Sequence, residues 1–460
     1  MPADIQGEHH RAAGRPVMGQ IHRHNRILHR QRSISMKINI VIPQSLTSPT
    51  AMVCGAPIAH HLARHGHDVK LILLHHDLRA GDERAIQLEP NVRAIYAGQM
   101  FVRKSGSEKT YFPLHKLLRV AVSSTRGLIR EMMRNRADVN LIYKSQPPTI
   151  LAGLLVRAVH RTPVVLMVDD LESESNNLHL PGLRTLFRMF EKLGARRSDA
   201  IIAQSAYLAN YFKRLAGGKT ETVFLPQGVE PSRYKLDETR TRALREKYGL
   251  GGKRVALYFG SINPKSGQRV DLLIDAFAGV ARRLPDAALA LAGPGEIDRM
   301  KEHARKAGVI DRVVFTGRFP FEDMPAYVSA ADVIVDPVDD SPVNEAKYSS
   351  RVKFGMLFGK PVLTGDIGVR PWILGGGGIA VRPNDVDALE QALYLMLLDD
   401  DLRAEMGRRG RKRIMNNFLW EQVIDDYIEV LDSVVRGDDR VPRRRLPAVR
   451  VGQDKVPVGR

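Results

Sequence analysis

Cysteine is almost missing from this chain. Cys54 stands alone among 460 residues, so no internal disulfide can form, which fits a reducing compartment. Aromatic residues are only 6% of the total, and no basic cluster is interleaved with them as in a nucleic-acid-binding surface. No apolar run approaches the roughly 18 residues that a membrane-crossing helix needs, and none near residue 1 reads as a signal peptide. The expected setting is the cytoplasm, with no specific nucleic-acid partner. Several motifs are absent as well. There is no Walker A loop and no G-x-S-x-G elbow, and no histidine set has zinc spacing; His9-His10, His60-His61 and His75-His76 are adjacent pairs.

Acidic residues are also in short supply: 51 Asp and Glu stand against 70 Lys and Arg, a net charge of +19. The excess is uneven. Residues 1–35 hold six Arg against Asp4 and Glu8, and residues 436–460 hold eight Lys/Arg against three Asp, leaving +10 on residues 36–435. Both ends are poor in large apolar residues and are expected to be disordered. Met36-Lys37 directly precedes the first strand, so Met36 is an alternative start that would leave residues 1–35 untranslated. The tails read as solubilising features.

What is present is an alternation of strands and helices. Hydrophobic residues make up 43%, enough for sizeable cores, and about 100–200 residues per domain gives two to three domains. Ile38–Ile42, Val69–Leu74, Leu141–Tyr143, Val164–Val168 and Ala200–Ala203 read as buried strands with helical patterns between them. The order is that of a parallel sheet covered by helices. It pauses from Leu225 to Lys247, then restarts at Val255–Phe259. Strands follow at Ala288–Ala292, Val313–Phe315, Val333–Val335 and Val362–Thr364, again with helices between. Three helical segments close the chain. Gly375–Gly378 reads as a flexible turn. The fold class is α/β, with two such units hinged near residues 228–250.

The candidate chemistry sits at strand ends. Asn344 to Thr364 reads N-E-A-K-Y-S-S-R-V-K-F-G-M-L-F-G-K-P-V-L-T: a polar loop, a short helix, then a strand. Ser349 and Ser350 can cap that helix, and Arg351 adds a full charge beside its unpaired amides and positive dipole end. Such a start suits a phosphate. Gly260-Ser261 opens a glycine-rich turn from which Lys265 or Arg269 can reach the same ligand. Gly293-Pro294-Gly295 and Gly317-Arg318 end two further strands. Four loops at the carboxyl ends of parallel strands point to a nucleotide site. In the first unit, Asp169, Asp170 and Glu172 follow a buried strand. They can face a sugar or a metal, or cap a helix. The stretch Leu114–Arg136 mixes Leu117, Leu118, Val120 and Val122 with Lys116, Arg119, Arg126 and Arg130. It reads first as a core-facing helix with a basic outer face, and second as a peripheral contact with an anionic membrane.

The series Y-F-G-S-I-N, D-L-L-I-D-A-F, L-A-G-P-G, V-V-F-T-G, Y-V-S-A-A-D-V-I-V-D-P, G-K-P-V-L-T-G-D-I-G and N-F-L-W resembles the GT-B glycosyltransferases of the family 4 type, from about Val255 to Trp420. The first unit fits more loosely. Gly55 lies where the group has a Gly-Gly loop, and Leu225-Pro226-Gln227-Gly228-Val229 is similar to its hinge entry.

The resemblance implies two Rossmann-like domains facing across a cleft, with a C-terminal helix crossing back. The expected parts are an acceptor domain at 36–228, a nucleotide-sugar domain at 229–415 and a crossover helix at 416–435. The activity implied is transfer of a sugar from a nucleotide-diphosphate sugar, with retention and without a cofactor or metal, to a carbohydrate or lipid-linked acceptor. The implied donor residues are Gly260, Ser261, Lys265, Arg269, Gly293, Gly295, Arg318, Asn344, Glu345, Ser349, Ser350 and Arg351. Gly55 falls on the acceptor side, and Asp169, Asp170 and Arg351 take the catalytic roles. The chain departs from the group at three places. Phe354 stands where a ribose-binding Glu is expected, which leaves Glu345 as the nearest substitute. Ser261 replaces a basic residue, and Asp169 replaces a histidine. A non-catalytic sugar- or nucleotide-binding relative and a nucleotide-sugar epimerase are the alternative classes.

Overall fold

A computed structural model describes residues 34–79, 83–105, 108–175, 182–263 and 267–438. The expected tails, 1–35 and 436–460, lie outside the described residues except for 34–35 and 436–438, and so does Lys265.

The first sheet contains β1 (Lys37–Ile42), β2 (Asp68–His75), β3 (Ala85–Glu89), β4 (Val92–Gln99), β7 (Val139–Tyr143), β8 (Val164–Val168), β9 (Ala200–Ala203) and β10 (Glu221–Phe224); a separate hairpin pairs β5 (Val102–Ser105) with β6 (Glu108–Tyr111). Its order is β10-β9-β8-β7-β1-β2-β4-β3, parallel throughout except that β3 runs antiparallel to β4. The second sheet holds β11 (Arg254–Phe259), β12 (Ala287–Ala292), β13 (Val313–Gly317), β14 (Val333–Asp336), β15 (Val362–Gly365) and β16 (Gly378–Val381). It is wholly parallel, in the order β13-β12-β11-β14-β15-β16. Each sheet is doubly wound, so strand order reverses once, between β1 and β7 and between β11 and β14. Crevices open at those reversals, beyond the carboxyl ends of the strands.

The core strands are legible because they are buried on both faces. Val139–Tyr143, Val164–Val168 and Ala200–Ala203 are buried at every residue. Other elements were not foreseen. β3 is a half-exposed edge strand beside the largely buried β4, and β10 is only four residues long. Gly378, expected in a turn, instead begins β16; a side chain there would run into the Val362 carbonyl of β15. The turn itself is confined to Gly375 and Gly376, both in the left-handed region.

The helix Trp420–Arg436 returns from the second sheet to the first. Val229 and Leu419 form a parallel bridge, Tyr427 donates to the Pro226 carbonyl at 3.2 Å, and the helix packs on Ala56–Arg64. Trp420 lies so close to the hinge that a Cβ on Gly228 would come within 2.5 Å of its indole. One apolar cluster therefore runs from Ile40 through Trp420, Ile424 and Tyr427 to Val352 and Phe354.

Candidate active site

A cavity of about 250 Å³ opens between the carboxyl ends of the two sheets. The segment after β1 contributes Pro49, Thr50 and, from the short helix Ala51–Gly55, Cys54; β8 leads into Asp169 and Asp170; β14 ends in Asp336; and Lys347 to Arg351 close the far wall.

On the second-domain side the organising group is Asp336, which is fully buried. Its carboxylate accepts from Arg370 Nε at 2.9 Å, Ser349 Oγ at 2.9 Å and Thr364 Oγ1 at 3.2 Å, and it pairs with Arg351 Nη1. Burial alone would raise its pKa. Arg370 and Arg351 outweigh that and hold it well below the usual carboxylate range. Arg351 also donates to the Phe259 carbonyl at 2.7 Å and to Gln268 Oε1 at 2.9 Å, and lies over the Tyr258 ring at 4.1 Å. Ser349 caps the helix Ser350–Leu357 by accepting from the Val352 amide. Two guanidinium groups share one carboxylate, so a positive charge is left over, and Lys347 stands beside them.

The glycines at the strand ends serve this arrangement. Gly260 has φ 134°, and a Cβ there would lie 2.6 Å from Arg351 Nη2. Gly293 and Gly295 lie against the Gly260 and Ile262 carbonyls. Asn344 is buried and braces the loop from below, donating to the Gly267 carbonyl at 2.9 Å and accepting from Arg370.

On the first-domain side the organising group is Lys144, which the sequence reading passed over. It follows β7 with φ 72°, a conformation that costs a non-glycine residue on the order of 1–3 kcal/mol. Its ammonium reaches Asp169 at 2.8 Å, Glu172 at 2.9 Å and Asp170 at 3.5 Å. Burial disfavours that ammonium, but Asp169 and Glu172 prevail and hold its pKa well above the lysine value. Asp169 is pushed up to about 6, by burial first and by Asp170 and Glu172 next, with Lys144 opposing. Asp170 is the more exposed of the two cavity carboxylates.

Asp169, Asp170, Ser349, Ser350 and Arg351 thus meet in one cavity. Other expected residues are placed elsewhere. Arg269 pairs with Asp271 and donates to Asn384, lining a separate small cavity. Arg318 and Ser261 are exposed. Gly55 packs against Ile42. Glu345 is buried on the short helix Pro342–Ala346, where its charge helps to push the Tyr207 pKa up, and is not among the residues lining the cavity. Phe354 is buried too, edge-on to Tyr234 at 5.0 Å and to Phe321 at 6.2 Å. Sequence reasoning missed Lys144, Asp336, Lys347 and Arg370. Lys144 directly follows one buried strand and Asp336 ends another, and that position was the available signal.

A second, polar cavity of about 370 Å³ lies on the first domain, lined by His75, His76, Asp77, Arg79 and Tyr96 among others. His75 and His76 stack at 4.5 Å, and His76 Nδ1 is 3.4 Å from Ser45 Oγ. Ser45, beside His76, and Pro49 and Thr50, which line the first cavity, belong to one segment after β1.

Two doubly wound domains with their strand ends turned to one charged cleft define the GT-B class. Two family models match: Glycosyltransferase Family 4 over residues 57–233, and Glycosyl transferases group 1 over residues 240–413. The GDP-mannose-dependent alpha-(1-6)-phosphatidylinositol monomannoside mannosyltransferase of Mycolicibacterium smegmatis is 32% identical, over 60% of this chain and 72% of its own length. The GDP-mannose-dependent monoacylated alpha-(1-6)-phosphatidylinositol monomannoside mannosyltransferase of Corynebacterium glutamicum is 26% identical, over 68% of this chain and 81% of its own. Sucrose-phosphate synthase from Thermosynechococcus elongatus shares the fold, with a TM-score of 0.70 at 19% identity over 87% of this chain and 99% of that one. The chain belongs to the GT-B glycosyltransferases of the family 4 type. Of the classes left open by the sequence, it is an enzyme that transfers a glycosyl group from a nucleotide sugar.

Proposed function

We propose that the enzyme moves a hexose, mannose in the first instance, from a nucleoside-diphosphate sugar to a lipid-linked or carbohydrate acceptor with retention at the anomeric carbon. The observation that carries this reading is the opposed charge across the cavity. Breaking the donor bond puts negative charge on the departing diphosphate and positive charge on the sugar ring. Arg351, Lys347 and the first amides of the helix Ser350–Leu357 stand on the side where the diphosphate would leave. Asp170 and Asp169 stand opposite, where they would favour the cationic sugar. Fixed charges in a closed cleft need little reorganisation as the bond breaks, which is their advantage over water.

Lys144 already bonds to all three carboxylates of the Asp169-Asp170-Glu172 group, so transfer without a resident metal is part of this reading. The acceptor would enter over the loop after β1, with the His75-His76 cavity as its polar anchor. GDP-mannose is the first donor to test because both bacterial mannosyltransferase relatives are described as GDP-mannose-dependent. A peripheral position on the cytoplasmic face of a membrane suits a lipid-linked acceptor; among the described residues no helix is long and apolar enough to cross one.

The test is a panel of GDP-mannose, UDP-glucose, UDP-N-acetylglucosamine and ADP-glucose, read for nucleoside diphosphate release, with product anomer assigned by NMR. Release from one donor with a retained anomer is expected. An inverted product, or no release and no binding with any donor, refutes the proposal.

A further inference from the structure

Outside the cleft, one surface differs from the rest of the molecule. Among the described residues twelve large apolar side chains are exposed, and seven of them lie on the helices Leu114–Arg134, Pro147–His160 and Leu183–Arg197. These helices pack side by side on one face of the first sheet, with Pro147–His160 between the other two. On that middle helix Leu151, Leu155 and Val159 are 45%, 47% and 56% exposed. They recur every fourth residue and so form a single ridge. The other exposed residue of the helix is Ala158, and Arg157 is turned aside to Asp199. Leu118 and Val122 extend the apolar surface on one flank, Leu186 and Met189 on the other.

The flanks are cationic. Lys116, Arg119, Arg126 and Arg130 are exposed on the first helix, and Arg184, Lys192, Arg196 and Arg197 on the third. The three helices carry only two carboxylates, Glu131 and Glu191. Glu131 is mostly covered and paired with Arg130; Glu191 is buried against Ser173 and Tyr211. An apolar ridge between two basic borders, with no exposed acid, is complementary to a surface that is itself anionic above and apolar beneath.

We propose that this three-helix face docks on an anionic lipid bilayer, the Leu151–Val159 ridge entering the headgroup layer and the flanking lysines and arginines meeting lipid phosphates. The sequence pointed to the helix at Leu114 alone; the ridge belongs to its neighbour. This assignment gives a surface to the membrane contact in the functional reading but does not depend on the donor chemistry, so the two fail separately.

The full-length chain is sedimented with vesicles of phosphatidylcholine containing about 30% phosphatidylglycerol, and with vesicles of phosphatidylcholine alone. Binding is expected with the anionic vesicles, falling roughly tenfold or more as salt rises from about 0.05 to about 0.5 M. Leu155→Glu with Val159→Glu should remove it. Arg119→Glu with Arg126→Glu should weaken it about tenfold or more. Nucleoside-diphosphate affinity should stay unchanged in both variants. All four positions are exposed, and unaltered thermal melting checks that the variants fold, with Leu155→Ala as a milder substitute. Three results would overturn the proposal: no binding at low salt, equal binding to both vesicles, or a concentration-dependent dimer that Leu155→Glu dissolves. The last would assign the face to a second copy of the chain.

Discussion

Arg351→Ala should weaken nucleoside-diphosphate binding by about 1.5–3 kcal/mol, the worth of a hydrogen bond to a charged group. At about 1.4 kcal/mol per factor of ten, that is roughly 10- to 150-fold in Kd. The structure explains why the loss should be specific. With Arg351 gone, Asp336 keeps Arg370, Ser349 and Thr364, so no buried carboxylate is stranded. The cost in stability should therefore fall below the roughly 3–5 kcal/mol of a fully broken buried pair. The leftover positive charge of the Arg351-Asp336-Arg370 group disappears, however, and with it the attraction for phosphate. Arg351→Lys restores the charge. It cannot span the Phe259 carbonyl, Gln268 and Asp336 together, because it lacks the planar fork, so recovery should be partial. Titration calorimetry with GDP, GMP and guanosine separates the terms. The loss should be largest for GDP and smallest for guanosine. Equal losses for all three would mean that the variant damages the site's shape, and an unchanged GDP affinity would remove Arg351 from the phosphate site.

Three further outcomes follow from the geometry. Asp336→Asn leaves two buried or half-buried guanidinium groups without their shared partner and should cost about 3–5 kcal/mol in urea unfolding at pH 7. Because the folded pKa of Asp336 is depressed, its contribution is complete above the ordinary carboxylate pKa of about 3.9 and fades as pH falls below it, so the variant should lose less stability between about pH 4 and pH 2 than the parent. Lys144→Met removes the ammonium that bonds to Asp169, Asp170 and Glu172, which raises the Asp169 pKa from about 6; the acid limb of kcat/KM should move to higher pH, and a limb that stays put would exclude Asp169 from the rate. Gly228→Ala drives a methyl group into the Trp420 indole and should destabilise by about 1–3 kcal/mol, whereas unchanged unfolding would show that the hinge has room to give.

Much of the second domain could be read from sequence, because each glycine-bearing loop directly follows a short buried strand and the strand ends of a parallel sheet converge. The Ser349–Arg351 segment was found for that reason. Lys144 was not, because its place just past a buried strand is only half of its meaning; the other half depends on carboxylates that follow a different strand. Arg370 was missed in the same way, since its partners Asp336 and Asn344 lie 34 and 26 residues away.

The sequence by itself determined the alternation of strands and helices, the buried strands, the helix start at Ser349–Arg351 and the cationic stretch at Leu114. Those follow from periodicity, capping and composition, which act between near neighbours. Only the tertiary structure decided which charges face one another. It tied Arg351 to Asp336 and put Lys144 among three carboxylates. It buried Glu345 and turned Phe354 into an aromatic cluster, and it placed the apolar ridge of Pro147–His160 between two basic helices. Coulomb interactions and burial depend on distance through space, and chain order sets that distance only through the fold.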